Sequence, residues 1–120
     1  MKSMTIRKVN EAESVISSTI KNCEKMQLKF NEGSSQHTLL KNRIKALYIA
    51  KALVKQEDLS LYTTKELCQA LPPITSIIHK CEKGQSKFEK ETPYYQRFVP
   101  LINAMSLSLK LLNEEIDKRA

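Results

Sequence analysis

The chain has 120 residues, of which 41% are hydrophobic and 28% charged, a balance that excludes a disordered chain and suits one domain. Only two glycines and four prolines interrupt it, which argues against a turn-rich β fold and favours long helices. The formal net charge of +7, carried mainly by lysine, favours acidic partners, phosphates or anionic membranes, but it is also common on an ordinary solvated surface.

The first two helices are predicted from one apolar stripe each. In the first helix four residues recur at intervals of seven and therefore share a face: Val9, Ile16, Cys23 and Phe30. A polar loop follows at residues 31–36, and the second helix, over residues 35–57, carries a partner stripe of Leu40, Leu47 and Val54. A loop this short places the two helices antiparallel.

The third and fourth helices carry matching stripes. Their apolar positions again recur every seven residues: Leu67, Ile74, Cys81 and Phe88 in the third, and Phe98, Met105 and Leu112 in the fourth. Thr63 followed by Glu66 predicts a capping box at the start of the third helix. Thr92 followed by Pro93 predicts the start of the fourth, which we place over residues 93–119.

Three prolines lie inside the patterns of the third and fourth helices: Pro72, Pro73 and Pro100. A proline within a helix removes a backbone hydrogen bond and kinks or restarts the helix. We expect the third helix to kink near Gln69 or to begin again at Pro72, and such a kink can open a pocket.

The two halves of the chain resemble each other at an offset of 58 residues. Residues 20–30 (IKNCEKMQLKF) and 78–88 (IHKCEKGQSKF) are identical at seven of eleven positions, including polar ones. Two unrelated amphipathic helices would share apolar classes more readily than identical polar residues. We therefore interpret the halves as a duplication, with copies at about residues 5–57 and 63–115.

These elements predict an all-α fold, a single domain over residues 1–120 in which two duplicated hairpins form an up-down-up-down four-helix bundle. The first and third helices of such a bundle lie on a diagonal, roughly 11–14 Å apart. A disulfide needs Cα atoms within about 7 Å, so Cys23 and Cys81 are expected to stay reduced and buried.

The sequence carries no pattern typical of catalysis, a metal or a cofactor. It has no Glu-x-x-His, no glycine-rich phosphate loop and no nucleophile elbow. Its cysteines and histidines form no metal-ligand pair, since His79 and Cys81, two residues apart, fall on different helix faces. His37 and His79 occupy unrelated positions and are predicted to be solvated. We expect a protein that is not an enzyme, with no catalytic residues, no metal ligands and no cofactor.

Three sequence features bear on the cellular compartment of the protein, and they point to the same one. The first residues lack the apolar segment of a secretory signal, and no apolar run is long enough for a membrane span. Three cysteines without paired spacing are typical of free thiols in a reducing compartment. We expect a cytoplasmic protein.

One candidate partner-binding surface is the polar face that recurs in both copies. It comprises eight residues, which we call the hairpin-end surface: Glu24, Lys25, Gln27, Lys29, Glu82, Lys83, Gln85 and Lys87. They would offer two equivalent contact sites to another protein or to a second copy of the chain. The alternative is a duplication that has not yet diverged.

A second candidate surface follows the second helix. Five residues fall within about 120° of one another on its helical wheel and form what we call the lysine stripe: Lys41, Lys45, Tyr48, Lys51 and Lys55. Such a stripe can bind a phosphate backbone or an acidic ligand, and the alternative is an ordinary wet helix face. Arg43 stands where the other copy has Leu101. We weigh three roles for it: pairing with a glutamate, extending to solvent, or lining a site for a small acidic ligand.

The function that these features favour is a non-enzymatic module that binds another protein or itself. The alternative is binding of a nucleic acid or anionic ligand through the lysine stripe. A third is an immunity-type small basic bundle acting near a membrane, which rests on size, charge and fold alone.

Overall fold

Residues 5–120 are described by the structure, a computed structural model. Five helices follow in order: α1 (Ile6–Gln27), α2 (Ser35–Val54), α3 (Thr64–Gln85), α4 (Pro93–Gln96) and α5 (Val99–Arg119). The helix α4 is a single turn that precedes α5, and residues 5–120 contain no strand. The predicted all-α four-helix bundle is confirmed.

The helices pack as a ring of four with a diagonal contact. Helices α1 and α3 each lie against α2 and α5, and α2 also packs against α5. By contrast, no Cα atom of α1 lies within 8 Å of one in α3. This places α1 and α3 on opposite corners, as the up-down-up-down topology predicts.

The two hairpins share local details at the 58-residue offset. Helices α1 and α3 begin and end at equivalent positions. Helices α2 and α4 also begin at equivalent positions. The hydroxyl of Thr5 accepts from the third backbone N–H of its helix, as does that of Thr63. Ser34 and Thr92 cap the returning helices in the same way. These equivalences agree with a duplicated hairpin, which remains our interpretation.

Of the two effects expected for the prolines in α3, a kink near Gln69 or a restart at Pro72, the restart does not occur. This helix is continuous from Thr64 to Gln85 and contains Pro72 and Pro73, so a restart at Pro72 is wrong. The prolines deprive the carbonyls of Cys68 and Gln69 of their helical donors. Both residues are exposed, so solvent can replace the lost bonds and the helix persists.

The predicted fourth helix over residues 93–119 is divided in two. Arg97 and Phe98 separate α4 from α5, and Pro100 lies in the first turn of α5. Proline cannot donate to the carbonyl four residues earlier and its ring clashes there, whereas the first turn of a helix tolerates both defects. The second helix also ends earlier than predicted, at Val54, and Gln56 then adopts a positive φ of 58°.

The core lies where the stripes of the four long helices meet. Ile16, Leu47, Ile74, Met105 and Leu112 are completely or almost completely buried. The last residue of each predicted stripe in α1 and α3 is an exception. Phe30 and Phe88 lie beyond the helix ends and are 36% and 37% exposed, because each helix stops three residues earlier.

The capping box of α3 is expected to contribute to stability. The Thr63 hydroxyl accepts from the Glu66 N–H at 3.0 Å, and the Glu66 carboxylate accepts from the Thr63 N–H at 2.9 Å. Thr63→Ala should lower the free energy of unfolding by about 1 kcal/mol in urea denaturation. Thr64→Ala, one residue into the helix and exposed, should change it by less than about 0.5 kcal/mol. Equal effects of the two variants would contradict a stabilising cap.

Candidate partner-binding surfaces

The hairpin-end surface lies at one end of the bundle, where α1 and α3 finish and their loops begin. Its four lysines are exposed, and none of them forms an ion pair with a carboxylate in residues 5–120. They are Lys25, Lys29, Lys83 and Lys87. Free ammonium groups at this end leave the surface available to an acidic partner.

The two glutamines of this surface have a structural role that the sequence pattern did not reveal. The Gln27 side-chain amide donates to the carbonyl of His37, and the Gln85 amide donates to that of Tyr95, each at 3.5 Å. Both glutamines are half-buried. Each therefore ties the end of one helix to the first turn of the next. This accounts for their identity in both copies without any partner.

The two glutamates of the surface differ from each other. The Glu24 carboxylate accepts a hydrogen bond from the Tyr48 hydroxyl at 3.2 Å. Glu82 has no such bond within the described chain, since Ser106 stands at the position equivalent to Tyr48. One member of the hairpin-end surface thus contacts one member of the lysine stripe, and the two surfaces adjoin along the α1–α2 interface.

Exposed apolar side chains accompany the lysines in the first copy. Met26 is 48% exposed, Leu28 87% and Phe30 36%, all within one helical turn of Lys25 or Lys29. In the second copy Gly84 and Ser86 replace the first two, and Phe88 stacks on Tyr94 with ring centroids 5.4 Å apart. A Cβ on Gly84 would lie 3.0 Å from the Phe98 ring, so glycine lets that ring pack against α3. The two hairpin ends therefore differ in apolar character.

Two of the four lysines in the lysine stripe are paired with neighbouring carboxylates. Lys45 pairs with Glu66 of α3 at 2.6 Å. Lys55 pairs with Glu13 of α1 at 3.6 Å and with Glu57 at 3.2 Å. Lys41 is exposed and Lys51 half-buried, and neither forms an ion pair within residues 5–120.

The pKa values of the stripe reflect these contacts. The hydrogen bond from Lys45, supported by the backbone N–H of Thr63, holds the pKa of Glu66 below its usual value. The hydrogen bond with Glu57 and the charge of Glu13 raise the pKa of Lys55. The bond to Glu24 raises the pKa of the Tyr48 hydroxyl. Each of these groups is thus engaged within the chain.

Arg43 lies half-buried between the helices and forms no ion pair with any described carboxylate. The expected pairing with a glutamate is therefore not made within residues 5–120. The Nε atom is buried and has no hydrogen-bond partner there. Its charge lowers the pKa of both the Cys23 and the Cys81 thiols, although burial outweighs that effect and raises each pKa overall.

The cysteines have contrasting environments. Cys23 and Cys81 are buried and free, as predicted, whereas Cys68 is exposed. We expect Ellman's reagent to modify one thiol rapidly in native protein and the other two slowly, because burial blocks access and a raised pKa reduces the thiolate fraction.

Two comparisons test this contrast. Cys68→Ser should abolish the fast phase, and all three thiols of the wild type should react rapidly in urea. An intramolecular disulfide between Cys23 and Cys81 in native protein would contradict the diagonal placement of α1 and α3.

The two histidines differ in their exposure to solvent. His79 is exposed, whereas His37 is half-buried, which differs from its predicted solvation. Among residues 5–120 no three histidine, cysteine or carboxylate side chains come together as metal ligands. Nor does that range include a helix of the length and apolar character needed to cross a membrane.

Searches against protein-family models, curated proteins and solved structures found no match.

Proposed function

We propose that this protein is a non-enzymatic, cytoplasmic module that binds another protein through its hairpin-end surface. The observation that carries the proposal is the first hairpin end, where exposed Met26, Leu28 and Phe30 lie beside Lys25 and Lys29. Apolar side chains surrounded by charges are typical of protein-binding patches. The partner would present an acidic rim around an apolar centre.

Nucleic-acid binding through the lysine stripe is less well supported than protein binding through the hairpin-end surface. Lys45 and Lys55 already bind carboxylates, so a phosphate contact from either lysine requires it to leave its present partner. Glu13, Glu24 and Glu66 also place negative charge along both sides of the stripe. These carboxylates would repel a phosphate backbone.

The test is affinity capture from the native cell with two matched variants. One changes Lys25, Lys29, Lys83 and Lys87 to glutamine, and the other makes the same change at Lys41, Lys45, Lys51 and Lys55. We expect the first variant to weaken binding of the captured protein by at least about tenfold, and the second to preserve it. Leu28→Ser should also weaken binding, since Leu28 is 87% exposed and its removal leaves the core intact.

The opposite outcome has a distinct signature. A nucleic-acid complex that survives physiological salt, and that only the stripe variant loses, would overturn the proposal. Its affinity would fall on the order of tenfold to a hundredfold over a fourfold salt increase for about two to four phosphate contacts.

A further inference from the structure

A groove between α2 and α3 contains a cation that has no counter-ion within the described chain. Arg43 lines this groove, and its buried Nε atom has no hydrogen-bond partner in residues 5–120. Burying an unpartnered polar group lowers stability, and an anion in the groove would offset the charge of this half-buried arginine. Leu101 occupies the equivalent position of α5, so an aliphatic side chain suits this place in the fold.

The rest of the groove consists of apolar residues, three uncharged polar residues (Asn42, Gln69 and Ser76) and one internal ion pair. Lys45 and Glu66 also line it, but they pair with each other at 2.6 Å. This leaves one net positive charge, on Arg43. The walls include Leu39, Ile49, Pro72 and Pro73, and the prolines replace Ser14 and Val15 of the other copy. The volume of the groove is about 540 Å³.

A second groove in the same protein provides an internal comparison. It lies between α1 and α5 and is lined by Val15, Pro100 and Asn103, among others, at positions equivalent to those of the first groove. Its volume is similar, about 580 Å³. The bundle therefore forms two grooves of similar volume at equivalent positions, and Leu101, which stands at the position of Arg43, does not line the second. The feature particular to the α2–α3 groove is its unpaired arginine.

We propose that the α2–α3 groove binds a small organic monoanion, a carboxylate with an apolar body. The carboxylate accepts hydrogen bonds from the Arg43 guanidinium, and the body lies against the proline and aliphatic wall. Arginine suits this role because its planar fork matches a carboxylate. The site is separate from the hairpin-end surface, so the failure of either proposal leaves the other intact.

Octanoate is a suitable probe, studied by calorimetry and thermal denaturation of the full chain. We expect it to bind at one site per chain and to raise the Tm. Arg43→Leu should weaken binding by at least about tenfold, the effect of losing a charge-assisted hydrogen bond, while raising the Tm of the unliganded protein. Arg7→Leu removes an exposed arginine and should leave octanoate affinity unchanged.

A second pair of variants separates the groove from the charge. Ser76→Trp places a large side chain in the α2–α3 groove while Arg43 itself is retained, and it should also abolish binding. Ser106→Trp places the same side chain in the α1–α5 groove and should not. This pair keeps the proposal falsifiable if Arg43→Leu fails to fold.

Three further ligands test the chemistry. Octanol has the body without the charge, whereas acetate and inorganic phosphate have charge without the body, and all three should bind at least about tenfold more weakly than octanoate. Equal binding of octanoate and octanol would overturn the role of Arg43. Equal binding by acetate or phosphate would overturn the role of the apolar wall. Octanoate affinity that is unchanged in both Arg43→Leu and Ser76→Trp, or no octanoate binding at all, would overturn the site itself.

Discussion

Replacing Ile74 with alanine is expected to lower the free energy of unfolding by about 2–5 kcal/mol. Ile74 is completely buried at the centre of α3, where the bundle core surrounds it. Truncation removes apolar contact area and leaves a cavity that the neighbouring helices fill only in part. Urea denaturation followed by circular dichroism at 222 nm measures this change.

The equivalent residue and an exposed one serve as comparisons. Ile16 stands at the position of Ile74 in the first copy and is also 0% exposed, so Ile16→Ala should destabilise by a similar amount. Leu61 is 92% exposed, and Leu61→Ala should change the free energy of unfolding by less than about 0.5 kcal/mol. A small loss for Ile74→Ala would mean that α3 does not form the core described here.

Arg119→Ala is expected to destabilise the protein by about 2–3 kcal/mol. The Arg119 guanidinium donates to the carbonyls of Tyr62 and Leu59 at 2.7 and 2.9 Å, and also contacts Glu115 at 3.1 Å. These bonds join the end of α5 to the loop between the hairpins. The side chain is only 21% exposed, so water replaces the lost bonds poorly.

Arg7 is a matched control for this effect. It contacts Glu11 with the same four-residue spacing and the same 3.1 Å distance, but its side chain is 89% exposed. Exposed pairs of this kind contribute about 0.3–0.5 kcal/mol, so Arg7→Ala should have little effect. Similar losses for the two variants would show that the backbone contacts of Arg119 do not stabilise the fold.

The helices were predictable because their stripes and caps are local features. Heptad spacing placed Ile16, Leu47 and Met105 in the core, and all three are fully buried. The capping box of Thr63 and Glu66 was visible from two residues. Most of the fold could therefore be predicted from local sequence, because each long helix has one apolar face and the connections are short.

The helix ends were harder to predict. Heptad spacing continues to Phe30 and Phe88, although α1 and α3 have already ended before them. The prolines also had opposite outcomes: α3 accommodates Pro72 and Pro73, while α5 begins just before Pro100. The residues whose carbonyls lose their donors, Cys68, Gln69 and Gln96, are exposed in both places, so neither the linear pattern nor solvent access distinguishes the two outcomes.

The positions of the candidate surfaces could be predicted from the sequence, but the carboxylates that bind their side chains could not. Helical spacing placed Lys45, Tyr48 and Lys55 on one face, yet their partners Glu66, Glu24 and Glu13 come from other helices. Contacts between helices distant in sequence arise only from tertiary packing.

Zero-length carbodiimide cross-linking of native, monomeric protein tests most directly whether the lysine stripe is occupied by carboxylates of its own chain. Mass spectrometry should identify amide links between Lys45 and Glu66 and between Lys55 and Glu13, whose charged atoms lie 2.6 and 3.6 Å apart. The four lysines of the hairpin-end surface, Lys25, Lys29, Lys83 and Lys87, should remain unlinked within the chain. The reverse pattern, with the stripe lysines unlinked and the hairpin-end lysines joined to carboxylates, would contradict our choice of interaction surface.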